Sequence, residues 1–199
     1  METYPLFSKV VGVGRLGLSA KELKKAQVLL KKYKLRLANQ VDTFTSAEKQ
    51  ILDDKPLNFL ARAVDAQFQQ YTRKVMQYIN SFKMTASWVA GLHPGGSSHE
   101  HIHRNSMISG VAYIQSAPNA GNITFHQKNL GFFDIPFNAM NIFNSPAYSF
   151  EPRPNTILFF PSDLYHEVEK NTSKEDRYSV GEAGTHGTDN RVGLQIKLL

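Results

Sequence analysis

At about Thr85 the chain changes its period, and that change limits the folds open to it. Upstream, apolar residues recur at steps of three and four. Downstream, short runs rich in Val, Ile, Phe and Tyr are separated by Gly, Pro, Asn and Ser. Helical side chains return to one face every 3.6 residues or so and strand side chains every second residue, so the first texture predicts amphipathic helices and the second predicts strands. Strands are expected near Thr85–Ala90, Met107–Gln115, Ile123–His126, Tyr148–Glu151, Thr156–Phe160, Glu167–Lys170, Arg177–Val180 and Val192–Leu198. Eight short strands behind two or three helices predict a mainly β, α+β chain. Its form is a small antiparallel sandwich or barrel with the N-terminal helices packed on one face.

In the helical half, Ser19-x-x-Glu22 has the form of a capping box, in which each side chain satisfies a free backbone N–H. Leu23, Ala26, Leu30, Tyr33 and Leu37 follow it as a buried stripe and predict a helix reaching about Leu37. Thr45-x-x-Glu48 repeats the box signal ahead of a shorter helix. Asp54 and Pro56 open a longer one, with a stripe at Ala61, Val64, Phe68, Tyr71, Val75 and Tyr78 that ends near Asn80.

The 199 residues, 41% of them hydrophobic, suit a single domain with a helical part over 1–84 and a strand-rich core over 85–199. The chain has no Cys, which removes disulfides and thiolate chemistry and fits a reducing cytoplasm. No run approaches the roughly 18 apolar residues of a membrane span, and the first residues lack the pattern of a signal peptide. No membrane partner is expected. The net charge of +6 is uneven: residues 1–90 hold 15 Lys and Arg against 7 Asp and Glu, and residues 91–199 hold 8 against 10. The excess gathers between Lys21 and Arg36. Such a run serves either as the solvated face of a helix or as a surface for nucleic acid. The same amphipathic helix could pair two copies of the chain as a homodimer.

Gly12-Val13-Gly14-Arg15-Leu16-Gly17 matches the glycine pattern of dinucleotide-binding turns. That fingerprint needs a βαβ unit closed by an acidic residue, and here the first helix is followed by another helical stretch. The glycines are therefore expected to serve a turn and not a nucleotide.

His99-Glu100-His101-Ile102-His103 places histidines at every second position just before a strand-like run, and His166 follows a second run far downstream. On an extended chain the alternation points all three side chains to one face. A further imidazole brought in by a barrel would complete a facial metal site. With Cys absent the ligands are N or O atoms, which suit iron, manganese, nickel, copper or zinc. Taken alone, the pentapeptide also reads as a solvated polar loop or an appended tag. His93 and His126 read as loop or surface residues, and His186 as exposed in a glycine-rich loop. Trp88 and Phe132-Phe133 read as packing, and Asn105 and Ser106 as turn caps, with Asn105 alternatively orienting a metal ligand.

The ordered set from His101 onward is more specific. His101-Ile102-His103-Arg104-Asn105-Ser106 leads into Ser109-Gly110-Val111-Ala112-Tyr113; Pro154-Asn155-Thr156 and Phe159-Phe160-Pro161-Ser162 lead to His166; Arg177-Tyr178-Ser179 comes eleven residues later. Over residues 85–180 this resembles the 2-oxoglutarate/iron(II)-dependent oxygenases, closest to a bacterial and phage branch with H-x-H-x-x-S before S-G-V-x-Y. The resemblance implies a double-stranded β-helix, the jelly-roll or cupin-like barrel. It implies His101, His103 and His166 as iron(II) ligands and catalytic residues. It also implies Arg177 as the grip on the far carboxylate of the cosubstrate 2-oxoglutarate, helped by Ser179 and Tyr113. The activity implied is a dioxygenase, hydroxylase or demethylase, that couples decarboxylation of 2-oxoglutarate to oxidation of a second substrate.

The chain departs from that superfamily in two places. The usual second ligand is acidic, and here His103 occupies its position, with His99 and His101 as a fallback register. After Ser179 the usual apolar strand gives way to Gly181-Glu182-Ala183-Gly184-Thr185-His186-Gly187. Two other functions fit the residues: a non-catalytic cupin-like metal-binding or interaction module, and a nucleic-acid-binding protein built on the basic helix.

Overall fold

The computed structural model describes residues 1–4, 6–38, 43–79, 82–104, 106–128, 136–182 and 196–198. In chain order the elements are β1 (Gly12–Arg15), α1 (Ala20–Leu30), β2 (Leu35–Leu37), β3 (Thr43–Ser46) and α2 (Asn58–Gln69), then β4 (Phe82–Met84), β5 (Trp88–Leu92), β6 (Ser98–His101) and β7 (Ile108–Gln115). They continue with β8 (Ile123–His126), β9 (Ala147–Phe150), β10 (Thr156–Pro161), β11 (His166–Val168), β12 (Arg177–Glu182) and β13 (Ile196–Leu198). Seven strands form a major sheet in the order β1-β10-β7-β12-β5-β3-β2, four form a minor sheet in the order β6-β11-β8-β9, and β4 pairs with β13. Every ladder between these strands is antiparallel.

The centre of the major sheet is buried on both faces. On β7, Ala112 and Ile114 join Ile157, Phe159 and Val180 in a core closed by the helices, while Val111 and Tyr113 join Leu158, Phe160, Ile123 and Phe125 in a second core between the sheets. This explains why the sequence of β7 is apolar almost throughout instead of alternating. The helices pack where their stripes demand. Leu60, Val64 and Phe68 of α2 are fully buried, and the Phe68 ring lies 5.4 Å from that of Phe159. Ala26 and Leu30 of α1 are buried as well, and Gln27 donates from its side chain to the Ile114 carbonyl at 3.1 Å.

Several expectations are corrected. The Ser19–Glu22 box caps α1 as read, but the helix stops at Leu30, because Leu35–Leu37 supplies the outer partner of β3. Thr45 lies in β3 and starts no helix. The stripe of α2 holds only as far as Tyr71. A π turn over Gln70–Val75, closed by the Met76 N–H on the Tyr71 carbonyl, inserts an extra residue and rotates Val75 and Tyr78 outward. The first half of the chain thus contributes β1, β2 and β3 to the major sheet, not helices alone. Ser98–His101, with no apolar signal, is a strand. Of the run Val192–Leu198, residues 192–195 lie outside those described, as do Asn105, Phe132, Phe133 and His186.

The glycine pattern has a different explanation from a turn. Gly12 and Gly14 lie in β1, antiparallel to β10, so no βαβ unit forms. A Cβ on Gly12 would come within 2.6 Å of the Tyr71 ring, and one on Gly14 would strike the Gln67 side chain. Glycine lets α2 and the π turn press onto the strand; only Gly17 takes a positive φ, 70°. Among the described residues no helix is long and apolar enough to cross a membrane. Gly12→Ala is expected to cost about 1–3 kcal/mol through overpacking against Tyr71, measured as a lower midpoint in urea or thermal unfolding.

Candidate metal and diacid site

His101 is the last residue of β6, and the ladder between β6 and β11 sets it directly opposite His166. His103 follows two residues beyond the strand end, and its N–H donates to the Ser162 carbonyl at 2.9 Å. The three rings converge, with centroids 4.4 Å apart for His101 and His166, 4.9 Å for His103 and His166, and 5.0 Å for His101 and His103. One nitrogen from each can be chosen so that all lie within 4.8 Å of one another, the spacing of ligands around a single ion. No carboxylate belongs to the group. His99 is exposed and gives only its carbonyl, so the fallback register is not the one the fold assembles.

Backbone carbonyls settle which nitrogens face the centre. His101 Nδ1 lies 2.7 Å from the His99 carbonyl and His166 Nδ1 lies 2.9 Å from the Leu164 carbonyl. A carbonyl only accepts, so each Nδ1 carries the proton and each Nε2 lone pair is left for an ion. Phe160 and Phe125 back the His166 ring at 4.9 and 5.8 Å. Burial in this apolar wall, aided by the neighbouring imidazoles, pushes His103 well below the usual range and His166 down to about 3. Both rings are therefore neutral at pH 7, the form that ligates.

On the facing sheet, Arg177 opens β12 and is 5% exposed. Its Nη1 donates to the Gly121 carbonyl at 2.7 Å, and its guanidinium lies 5.3 Å from the centre of the Tyr113 ring. Ser179 pairs in register with Tyr113, so the two share the face that looks into the barrel. None of the ion pairs among the described residues involves Arg177. The Tyr113 hydroxyl is buried and has no hydrogen-bond partner among the described residues. Burial presses the Arg177 pKa down, and it pushes that of Tyr113 up. A buried guanidinium held only by backbone carbonyls, with no acidic partner among the described residues, and a buried phenol without an acceptor together cost several kcal/mol. A carboxylate accepting from both would offset that cost, so these residues fit one end of a diacid.

His93 and His126 stand apart from this group. His126 ends β8 and lies 3.1 Å from Glu167, whereas His93 is a loop residue just after β5 whose side chain is 42% exposed and lies 2.6 Å from Asp176. Trp88 faces the barrel and packs on Gly181, where a Cβ would approach the indole to 3.1 Å. The carbonyl of Gly121, which holds Arg177, carried no side-chain signal; its glycine is required by a φ of 81° in the Asn119–Asn122 turn.

The titration of the site fixes the sign of a pH effect. Both histidines have folded pKa values below the ordinary 6.5, that of His166 at about 3, so as pH falls below 6.5 the unfolded chain binds protons that the native site refuses. Stability of the metal-free protein is expected to fall as pH drops through this window, by up to about 1.4 kcal/mol per unit for each such group. Urea unfolding at pH 7, 6 and 5 measures the slope, and His166→Ala should flatten it.

Residues 86–181 match a family model described as "Putative 2OG-Fe(II) oxygenase", 2OG being 2-oxoglutarate. No curated protein matches the sequence. Among solved structures, a Pseudomonas putida prolyl-4-hydroxylase aligns with a TM-score of 0.63 at 15% identity, covering 88% of this chain and 92% of that one. HygX from Streptomyces hygroscopicus, solved with nickel, 2-oxoglutarate and hygromycin B, aligns at 0.61 and 11% identity over 86% and 81%. The viral collagen prolyl hydroxylase of Paramecium Bursaria Chlorella virus-1, solved with 2-oxoglutarate, aligns at 0.60 and 11% over 86% and 93%. At such identities the likeness shows the fold, a double-stranded β-helix, and the resemblance to a family rests on the segment match. That segment, just under half of the chain, contains the three histidines, Tyr113 and Arg177, and over it the chain is similar to the 2-oxoglutarate- and iron(II)-dependent oxygenases.

Proposed function

We propose that the protein is a hydroxylase or demethylase in which His101, His103 and His166 hold iron(II) while Arg177 and Tyr113 hold the far carboxylate of 2-oxoglutarate. The observation that carries this reading is the buried Arg177–Tyr113 pair. A barrel that only bound metal would have no use for an interior guanidinium that has no acidic partner among the described residues. When bound, iron(II) and 2-oxoglutarate supply oxidative chemistry that couples loss of carbon dioxide from the cosubstrate to oxidation of a second molecule by dioxygen.

The protein's own share is positioning. The His99 and Leu164 carbonyls orient two ligand rings, and burial keeps His103 and His166 deprotonated. Val111, Leu158, Phe160 and Phe125 exclude water behind them. Ser179, on the Tyr113 face, is placed to add a hydroxyl to the carboxylate grip. Three imidazoles leave the ion's full positive charge in place, and dianionic 2-oxoglutarate would neutralise it. The missing acidic ligand favours a second reading, a metal-binding module without turnover. The exposed lysines at 21, 24, 25, 31 and 32 suit a substrate that is anionic or attached to nucleic acid, and α1 is the surface on which two copies could pair.

Anaerobic titration with iron(II) and 2-oxoglutarate should produce the visible metal-to-ligand charge-transfer band. Arg177→Ala is expected to weaken 2-oxoglutarate by about 100-fold or more, on the order of 3 kcal/mol, with metal binding spared. His166→Ala should lose both. A band that survives unchanged in either variant sinks the assignment, and a band without turnover on any substrate supports the module reading.

A further inference from the structure

Two of the three candidate ligands are oriented by one short turn. Pro161–Leu164 leaves β10, and its Leu164 N–H donates back to the Pro161 carbonyl at 3.0 Å. Within it, the Ser162 carbonyl accepts the His103 N–H at 2.9 Å and the Leu164 carbonyl accepts His166 Nδ1 at 2.9 Å. His103 stands beyond the end of β6, so the ladder that fixes His101 does not reach it. The placement of the turn therefore sets the placement of both rings.

The turn is itself pinned. Ser162 Oγ lies 2.7 Å from Ser109 Oγ on β7, and both serines are buried, at 1% and 0% exposure. The Ser162 N–H also donates to the Met107 carbonyl at 3.1 Å. Side chains that merely filled space here would better be apolar, since burying two hydroxyls gains little beyond the bond they make to each other. What the bond adds is direction, because it ties the turn to the most deeply buried strand of the major sheet.

We propose that the Ser109–Ser162 hydroxyl pair is a positioning clasp that holds the Pro161–Leu164 turn so that His103 and His166 present their nitrogens to one ion together with His101. The inference rests on the metal-site reading above and extends it to residues that do not touch the ion. Ser109 and Ser162 are positioning residues, acting through backbone carbonyls.

Cobalt(II), whose visible absorption reports coordination number and geometry, is the probe. Ser162→Ala and Ser109→Ala are each expected to weaken cobalt(II) binding by about 10- to 100-fold, as loss of supports behind ligands typically does, and to change the visible spectrum. The double variant should be no worse than either single one, because all three lose the same bond. Ser46→Ala is the comparison. Ser46 is 1% exposed, and its hydroxyl accepts the Val89 N–H and donates to the Glu48 carbonyl, away from the ligands. That variant should lose stability yet keep wild-type cobalt(II) affinity and spectrum. Wild-type binding in both clasp variants, or an equal loss in Ser46→Ala, overturns the proposal. Should Ser162→Ala not fold, Ser109→Ala breaks the bond from the other side. Wild-type protein that fails to bind cobalt(II) overturns the metal reading together with the clasp, whereas unchanged binding in the variants overturns the clasp alone.

Discussion

The antiparallel register of β11 on β6 is the constraint from which the site is built. It sets His166 opposite His101, and the same short strand pairs His166 with Phe125 on β8, so one residue is aligned on both sides at once. A slip of one position would turn His166 to the outer face and bring Glu167 inward. On the facing sheet, β12 fixes Arg177 by an independent ladder to β5 and β7. Packed sheets lie about 10 Å apart. Imidazoles on one and a guanidinium on the other can therefore serve a single small molecule between them.

The two faces of the major sheet divide the labour. Toward the helices lies an apolar core of aliphatic and aromatic side chains with few polar atoms among them. Toward the minor sheet the interior includes three histidines, an arginine, a phenol and several serines. Such an interior is tolerable because the helix side supplies most of the burial, and because the polar groups are neutral, tied to backbone carbonyls or shaped for a ligand. The strands between them are buried from both directions, which gives the site a rigid floor.

The residues of the site were more legible than the elements that carry them. His101, His103, His166, Arg177, Tyr113 and Ser179 could be singled out because a motif with fixed order survives without any knowledge of pairing, and the structure gathers them in one barrel interior. The strands β7, β8, β10 and β12 were legible because both of their faces are apolar or because alternation is clear. β2, β3 and β6 were not, since edge and near-edge strands need only complete a ladder and can be polar. Leu35–Leu37 fits helical and extended periods equally well, and the open edge of β3 decides between them. The π turn after α2 has no signature in composition; it shows only as a stripe that fails after Tyr71. Carbonyl supports such as those of Gly121, Ser162 and Leu164 are invisible in principle, because every residue has one.

β6 is an outermost strand of the minor sheet. Among the described residues no further strand pairs with its other side, and such a border is where unrelated chains can stick together. Here that border reads Ser-His-Glu-His, and Glu100 on its outward face forms an ion pair with Lys128. Side chains suited to gripping an ion are poorly suited to amyloid-like stacking. The strand that carries His101 thereby also discourages clumping, and a change to one property would touch the other.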